Sequence, residues 1–268
     1  MGAAMTIFEA IILGLIQGLT EFIPISSSGH LVIAQTFLSG ASEHLFLEWI
    51  NLGTVLALII FFWPRIWRTI RLVVVDRDFR LATNIVIAML PAGLAGFFFA
   101  DIIENHAFFG SVWTVVVTLA SVGVLLIVVD RLPKLSQVSV LEKLPRSRAL
   151  TVGLAQVAAL IPGTSRSGST IIAGRLMGLK AADAAEFSFL VSIPIMLGVL
   201  AKLLIKEGDR LYLLDNFWPL IIGNVAALVS GLVAVGFLMR YLQTHSLAVF
   251  GYYRLGLAGV LLIVLLLQ

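Results

Sequence analysis

Two short polar runs break otherwise apolar sequence: Ser26-Ser27-Ser28-Gly29-His30, and Thr164-Ser165-Arg166-Ser167-Gly168-Ser169-Thr170. With Gln17 and Glu21 they bring together a carboxylate, an amide, hydroxyls, an imidazole and a guanidinium, a set suited to phosphoryl transfer. The three serines directly precede Leu31-Val32-Ile33-Ala34, where a helix should begin. Free N–H groups and the helix dipole at such a start favour an anion, phosphate above all. His30 is a candidate base, acid or phosphorus nucleophile. In the second run Arg166 can grip phosphate oxygens with two parallel hydrogen bonds. Thr164, Ser165, Ser167, Ser169 and Thr170 add hydroxyls, and Gly163 and Gly168 let backbone N–H groups approach closely.

Gln17 and Glu21 are spaced i, i+4 and share one helix face. A carboxylate in an apolar segment is costly unless paired, hydrated or cation-bound, so Glu21 is a functional candidate. It could hold a divalent metal, but with no second clear carboxylate the remaining ligands would have to be substrate phosphates. His44, His106 and His245 fall in connections and read as solvated. Glu9 and Glu48 lie nearer segment ends, and Arg175 reads as a snorkelling side chain.

These residues must be positioned by membrane helices. Of 268 residues 60% are hydrophobic and 12% charged, and the mean hydropathy is +1.06, far from a soluble domain. Continuously apolar runs of spanning length appear near 45–64, 82–100, 111–130, 186–205, 218–239 and 251–267. They do not alternate as barrel strands would. No hydrophilic stretch is long enough for a separate soluble domain. The absence of cysteine removes disulfides and thiolate chemistry. Residues 1–20 carry Glu9 and no basic cluster, and read as structure rather than as a cleaved leader.

The polar runs belong to a duplication. Gly14-Leu15-Ile16-Gln17 leads to Ile23-Pro24, Ser28-Gly29 and Ile33-Ala34, and Gly153-Leu154-Ala155-Gln156 leads to Ile161-Pro162, Ser167-Gly168 and Ile172-Ala173. Pro24 and Pro162 interrupt residues 6–38 and 150–180 midway, so each copy reads as a re-entrant helical hairpin whose turn is buried against protein. Arg65, Arg68, Arg71, Arg77 and Arg80 place one connection in the cytoplasm. Arg131, Lys134, Lys143, Arg146 and Arg148 place another there. Asp101 to Gly110, acidic and lacking Lys or Arg, then lies outside. Three spans separate the copies, so the halves are inverted, an arrangement of many transporters. The expected fold is an all-α membrane protein: six transmembrane helices plus two re-entrant hairpins in one membrane domain, 1–268, with halves of about 1–132 and 150–268 and a cytoplasmic linker at 133–149. Arg254, at the start of the last span, is expected to be a cytoplasmic anchor.

At these residues the chain resembles the undecaprenyl-pyrophosphate phosphatase family, membrane enzymes of the bacitracin-resistance type. The matching stretches are Gln17-Gly18-Leu19-Thr20-Glu21-Phe22 with Pro24, Ser26 to His30, Pro162 to Thr170, and Glu186-Phe187-Ser188-Phe189-Leu190 with Pro194. The resemblance covers nearly the whole chain. It implies removal of one phosphate from undecaprenyl pyrophosphate, recycling the carrier lipid of cell-wall synthesis and conferring bacitracin resistance, with magnesium or calcium dependence. It implies Glu21, Ser27, His30 and Arg166 as catalytic residues, with Ser27 a nucleophile or ligand, Glu21 the principal metal or base residue, and the attacking group either Ser27 or His30. Gln17, Ser26, Ser28, Thr164, Ser165, Ser167, Gly168 and Thr170 are expected to contact substrate. The family carries Glu or Gln at the position of Gln17. The setting implied is the bacterial inner membrane, multi-pass, with the site open to the outer face. Partners are the prenyl pyrophosphate and membrane lipids, with no nucleic acid, and a homodimer is among the assemblies considered. The alternative function is a lipid-phosphate flippase or transporter built on the inverted repeat.

Overall fold

A computed structural model describes residues 5–35, 38, 44–99, 102–103, 106–132 and 141–267. Helices build all of the regular structure among them. Six are long and apolar enough to cross a membrane: His44–Phe61, Arg80–Phe98, Val112–Arg131, Ala181–Ile205, Phe217–Thr244 and Ala248–Leu267. Each expected span falls on one of these. Their outward faces carry large apolar side chains such as Phe97, Trp113 and Trp218, which water would not tolerate in such number and lipid does. The chain is a multi-pass membrane protein.

The first polar run lies between α1 (Ile7–Phe22) and α2 (Ser27–Gln35). Thr6 caps α1 in a reciprocal arrangement with Glu9, which places Glu9 in a helix-capping role. The first span is two pieces, α3 (His44–Trp49) and α4 (Asn51–Phe61). The basic stretch that follows is helical too: α5 (Trp63–Val74) carries Pro64 in its first turn and buries none of its residues. It puts Trp63 and Trp67 beside Arg65, Arg68 and Arg71, the composition of a helix lying at a membrane surface. After α6 (Arg80–Phe98) come α7 (Ala107–Gly110) and α8 (Val112–Arg131). Asp101, Glu104 and residues 133–140, which carry expectations on loop charge and linker, lie outside the described residues.

The second polar run separates α9 (Arg146–Val157), extended by a 3-10 turn at Ala158–Leu160, from α10 (Arg166–Leu176). Helix α9 begins ahead of residue 150, so helical structure enters the expected linker. Helices α11 (Ala181–Ile205), α12 (Glu207–Asp215), α13 (Phe217–Thr244) and α14 (Ala248–Leu267) complete the chain. At 16, 9, 12 and 11 residues, α1, α2, α9 and α10 are each shorter than the spans and below the roughly 20 residues a crossing needs.

Packing is cross-wise between the halves. Helix α1 lies along α13, α9 along α6, and α8 along α14. Close approach explains the small residues. A Cβ on Gly18 would meet Ser230 Oγ at 2.0 Å and the Ala227 carbonyl at 2.4 Å. Phe22, Ala57, Phe187, Phe189 and Val235 fill the main core beneath both polar turns.

Candidate active site

Both polar turns fold in the same way because each offers serine at matching positions. Ser26 and Ser165 have φ of 75° and 71°, a region costly for a residue with a Cβ, on the order of 1–3 kcal/mol. Each then caps the helix that follows. Gly29 N–H donates to Ser26 Oγ at 3.4 Å and Gly168 N–H to Ser165 Oγ at 3.2 Å. The Ser26 and Ser28 hydroxyls are 3.0 Å apart, and those of Ser165 and Ser167 are 3.1 Å apart. Two helix starts, α2 and α10, therefore open toward one region with their first-turn N–H groups and hydroxyls.

Glu21 joins the turns. One carboxylate oxygen pairs with the Arg166 guanidinium. The other accepts from Ser27 Oγ at 2.8 Å and from Gln17 Nε2 at 3.1 Å. Gln17 Nε2 also donates to Asn51 Oδ1 at 2.7 Å, tying the site to α4. The charges are partly buried, the Arg166 side chain at 21% exposure and that of Glu21 at 13%. Each would be expensive there without the other. The pair remains accessible enough for an incoming anion to compete for the guanidinium.

The other expected site residues divide between these roles. Ser28 Oγ accepts from Gly163 N–H at 3.0 Å, a direct link from the first turn to the second. Ser167 Oγ donates to the Glu21 carbonyl at 3.5 Å. Thr170 is fully buried, donating to the Arg166 carbonyl at 2.7 Å and lying 2.6 Å from Ser188 Oγ, so it secures the first turn of α10. Ser169 likewise donates to the Arg166 carbonyl, at 3.1 Å. His30 Nδ1 is 2.8 Å from the Ser26 carbonyl, and since a carbonyl only accepts, Nδ1 carries the proton. In the neutral ring Nε2 accepts from the Tyr253 hydroxyl at 2.7 Å, with the two rings stacked. His30 is one turn along α2 from Ser27, and its hydrogen bonds run to Ser26 and Tyr253 rather than to Glu21.

Arg254 corrects the sequence reading. It is not a surface anchor but fully buried, and it donates to five main-chain carbonyls: Leu119 at 3.2 Å, Thr118 at 3.4 Å, Pro24 at 3.3 Å, Gly163 at 2.6 Å and Thr164 at 3.2 Å. The carbonyls of Pro24, Gly163 and Thr164 lie in irregular turns that give them no helical partner, and the guanidinium supplies donors to them while also bonding to two carbonyls of α8. Thr118 reinforces it by donating to the Pro162 carbonyl at 2.7 Å. Gly163 has φ of 86°, and a Cβ there would lie 2.1 Å from Thr118 Oγ1. Asn51, Thr118, Tyr253 and Arg254 reach the two turns only through the fold. An Arg inside an apolar run was the signal for the last of them. Glu186, in a matching stretch, sits 2.7 Å from Arg65, which also donates to Glu142 at 2.9 Å. That cluster clamps α5 to α11 and belongs to the architecture.

A family model described as bacitracin resistance protein BacA matches residues 10–260. A protein of Nitrosomonas europaea named undecaprenyl-diphosphatase is 37% identical over 261 residues, covering 97% of this chain and 94% of that protein. One of Clavibacter michiganensis with the same name is 39% identical over 271 residues, 97% of each. A third, from Aquifex aeolicus, is 36% identical over 256 residues, 94% of this chain and 95% of that protein.

Proposed function

As the chain belongs to the bacitracin resistance protein BacA family, we propose that it hydrolyses undecaprenyl diphosphate to undecaprenyl phosphate and inorganic phosphate, the reaction its relatives are named for. The observation that carries the reading is the Glu21 carboxylate, which holds the Ser27 hydroxyl on one oxygen and the Arg166 guanidinium on the other.

The terminal phosphate enters between the starts of α2 and α10. Arg166 turns from Glu21 to the phosphoryl oxygens, where its planar fork and the first-turn N–H groups stabilise the charge of the transition state. Ser27 Oγ attacks the terminal phosphorus while Glu21 takes its proton. The bridging P–O bond breaks, the lipid monophosphate leaves, and water then cleaves the phosphoserine. Gln17 keeps the carboxylate oriented and is itself fixed by Asn51. His30, through Nδ1, holds the carbonyl of the strained Ser26, and its Nε2 accepts from the Tyr253 hydroxyl. Transport without hydrolysis would leave the pairing of Ser27 with Glu21 without a use.

A magnesium or calcium ion suits the oxygen donors at Glu21 and Ser27. No group of three or more His, Asp and Glu converges among the described residues, so its remaining ligands would have to come from the substrate phosphates. When bound it neutralises charge on the phosphoryl group.

We read the broken segments α1–α2 and α9–α10 as re-entrant hairpins and the halves as an inverted repeat. The short limbs, the matched serine turns and the reciprocal packing of α1 on α13 and α9 on α6 support this. The basic α5 faces the cytoplasm by the positive-inside rule. The first hairpin then enters from the outer face of the bacterial inner membrane, and the site opens there.

The test is phosphate release from undecaprenyl diphosphate by the detergent-purified protein, with and without a chelator. Release is expected, and abolished by chelation. No release under any metal condition rejects the reading.

A further inference from the structure

Helix α5 presents a surface that neither the core nor the phosphate site uses. Trp63, Trp67, Ile70 and Val74 follow one another at spacings of four, three and four, so at 3.6 residues per turn they form one narrow stripe. All four are exposed. Arg65 projects from the opposite side of the helix, where it meets Glu142 at 2.9 Å and Glu186 at 2.7 Å and pins α5 to the protein. The apolar stripe is thereby turned outward. Arg68 and Arg71, three residues apart, occupy the flank between stripe and pin, and both are exposed. Just beyond the helix, Asp76 and Asp78 are matched in number by Arg77 and Arg80, with Arg80 2.6 Å from Asp78. The two arginines on the flank therefore leave this surface positive.

We propose that α5 is a binding surface for anionic phospholipids of the leaflet in which it lies. Trp63, Trp67, Ile70 and Val74 sit at the boundary of headgroups and acyl chains, the level that tryptophan favours. Arg68 and Arg71 then meet lipid phosphates, whose oxygens a planar guanidinium can bind in pairs. A zwitterionic headgroup also carries a phosphate, but its ammonium cancels the field, so net charge decides between the two lipids. A soluble acidic partner would satisfy the arginines and leave the tryptophan stripe in water, which is the argument for lipid. The inference is independent of the phosphatase reading, because α5 contributes nothing to the phosphate site.

The chain has no cysteine, so a bimane attached at Val74→Cys reports from α5 alone. One attached at Phe98→Cys, exposed at the far end of α6, serves as the comparison. The purified full-length protein is placed in phosphatidylcholine vesicles in which brominated phosphatidylglycerol or brominated phosphatidylcholine replaces part of the lipid, and quenching by bromine gives the relative affinity at each label. At Val74 phosphatidylglycerol is expected to be favoured about fivefold or more, a preference that weakens at about 1 M salt. It should fall towards equality in the Arg68→Gln, Arg71→Gln double variant, and none is expected at Phe98. Equal quenching by the two lipids at Val74 overturns the proposal and leaves the arginines to another partner. So does a preference that survives loss of both arginines in protein with the wild-type thermal midpoint, or one of the same size at Phe98, since the lipid would then be drawn by the molecule at large rather than by α5.

Discussion

At the residue scale, the site depends on one carboxylate serving two partners. In the proposed mechanism Glu21, which pairs with both Ser27 and Arg166, orients the one as nucleophile and holds the other until a phosphate arrives. Groups that act as a unit lose function together. Glu21→Gln and Ser27→Ala should each lower kcat for phosphate release by at least about 10²-fold, and the double variant should be little worse than either single one. Arg166→Ala should cost as much, whereas His245→Ala, on an exposed helix end beside Thr244, should behave as wild type. Steady-state kinetics on undecaprenyl diphosphate decide this, and a Ser27→Ala variant with wild-type kcat would remove Ser27 from the attack. The sequence made Glu21, Ser27 and Arg166 legible because ionic and hydroxyl groups stand out in apolar sequence. It could not show that Asn51 and Tyr253 join them. Those contacts link residues 34 and 223 positions apart, closed only by folding.

At the element scale, the breaks matter as much as the helices. Pro24 and Pro162, each followed by a cluster of serine and glycine, disclosed both breaks, and the six spans followed from the length of the continuously apolar runs. Helix α5 was read only as a basic connection, because charge obscured its two-faced pattern, Trp63 and Trp67 on one side and arginines on the other. Which helices touch was beyond local pattern. The close crossing of α1 and α13 relies on Gly18, where even one added methyl group meets Ser230 Oγ and a backbone carbonyl. Gly18→Ala should therefore destabilise the protein, on the order of 1–3 kcal/mol. A lowered thermal unfolding midpoint in detergent would register this, and an unchanged midpoint would mean that the crossing is looser than described.

At the scale of the whole molecule, the orientation proposed for the chain rests on charge asymmetry. The chain has no cysteine, so single cysteines report position without background. In intact cells a membrane-impermeant maleimide should label Glu207→Cys on α12 and spare Asp76→Cys beyond α5. The reverse pattern would turn the protein over and move its phosphate site to the cytoplasmic side. The burial of Arg254 has a mechanical consequence. From α14 it bonds to carbonyls of α8, of the first turn and of the second turn, and every acceptor is main chain. Side chains in the turns can therefore change without loosening it, whereas any rocking of one half against the other must break it. Arg254 thus ties α8, α14 and both polar turns into one frame, the kind of cross-brace that suits a site holding a reaction in place rather than one that moves.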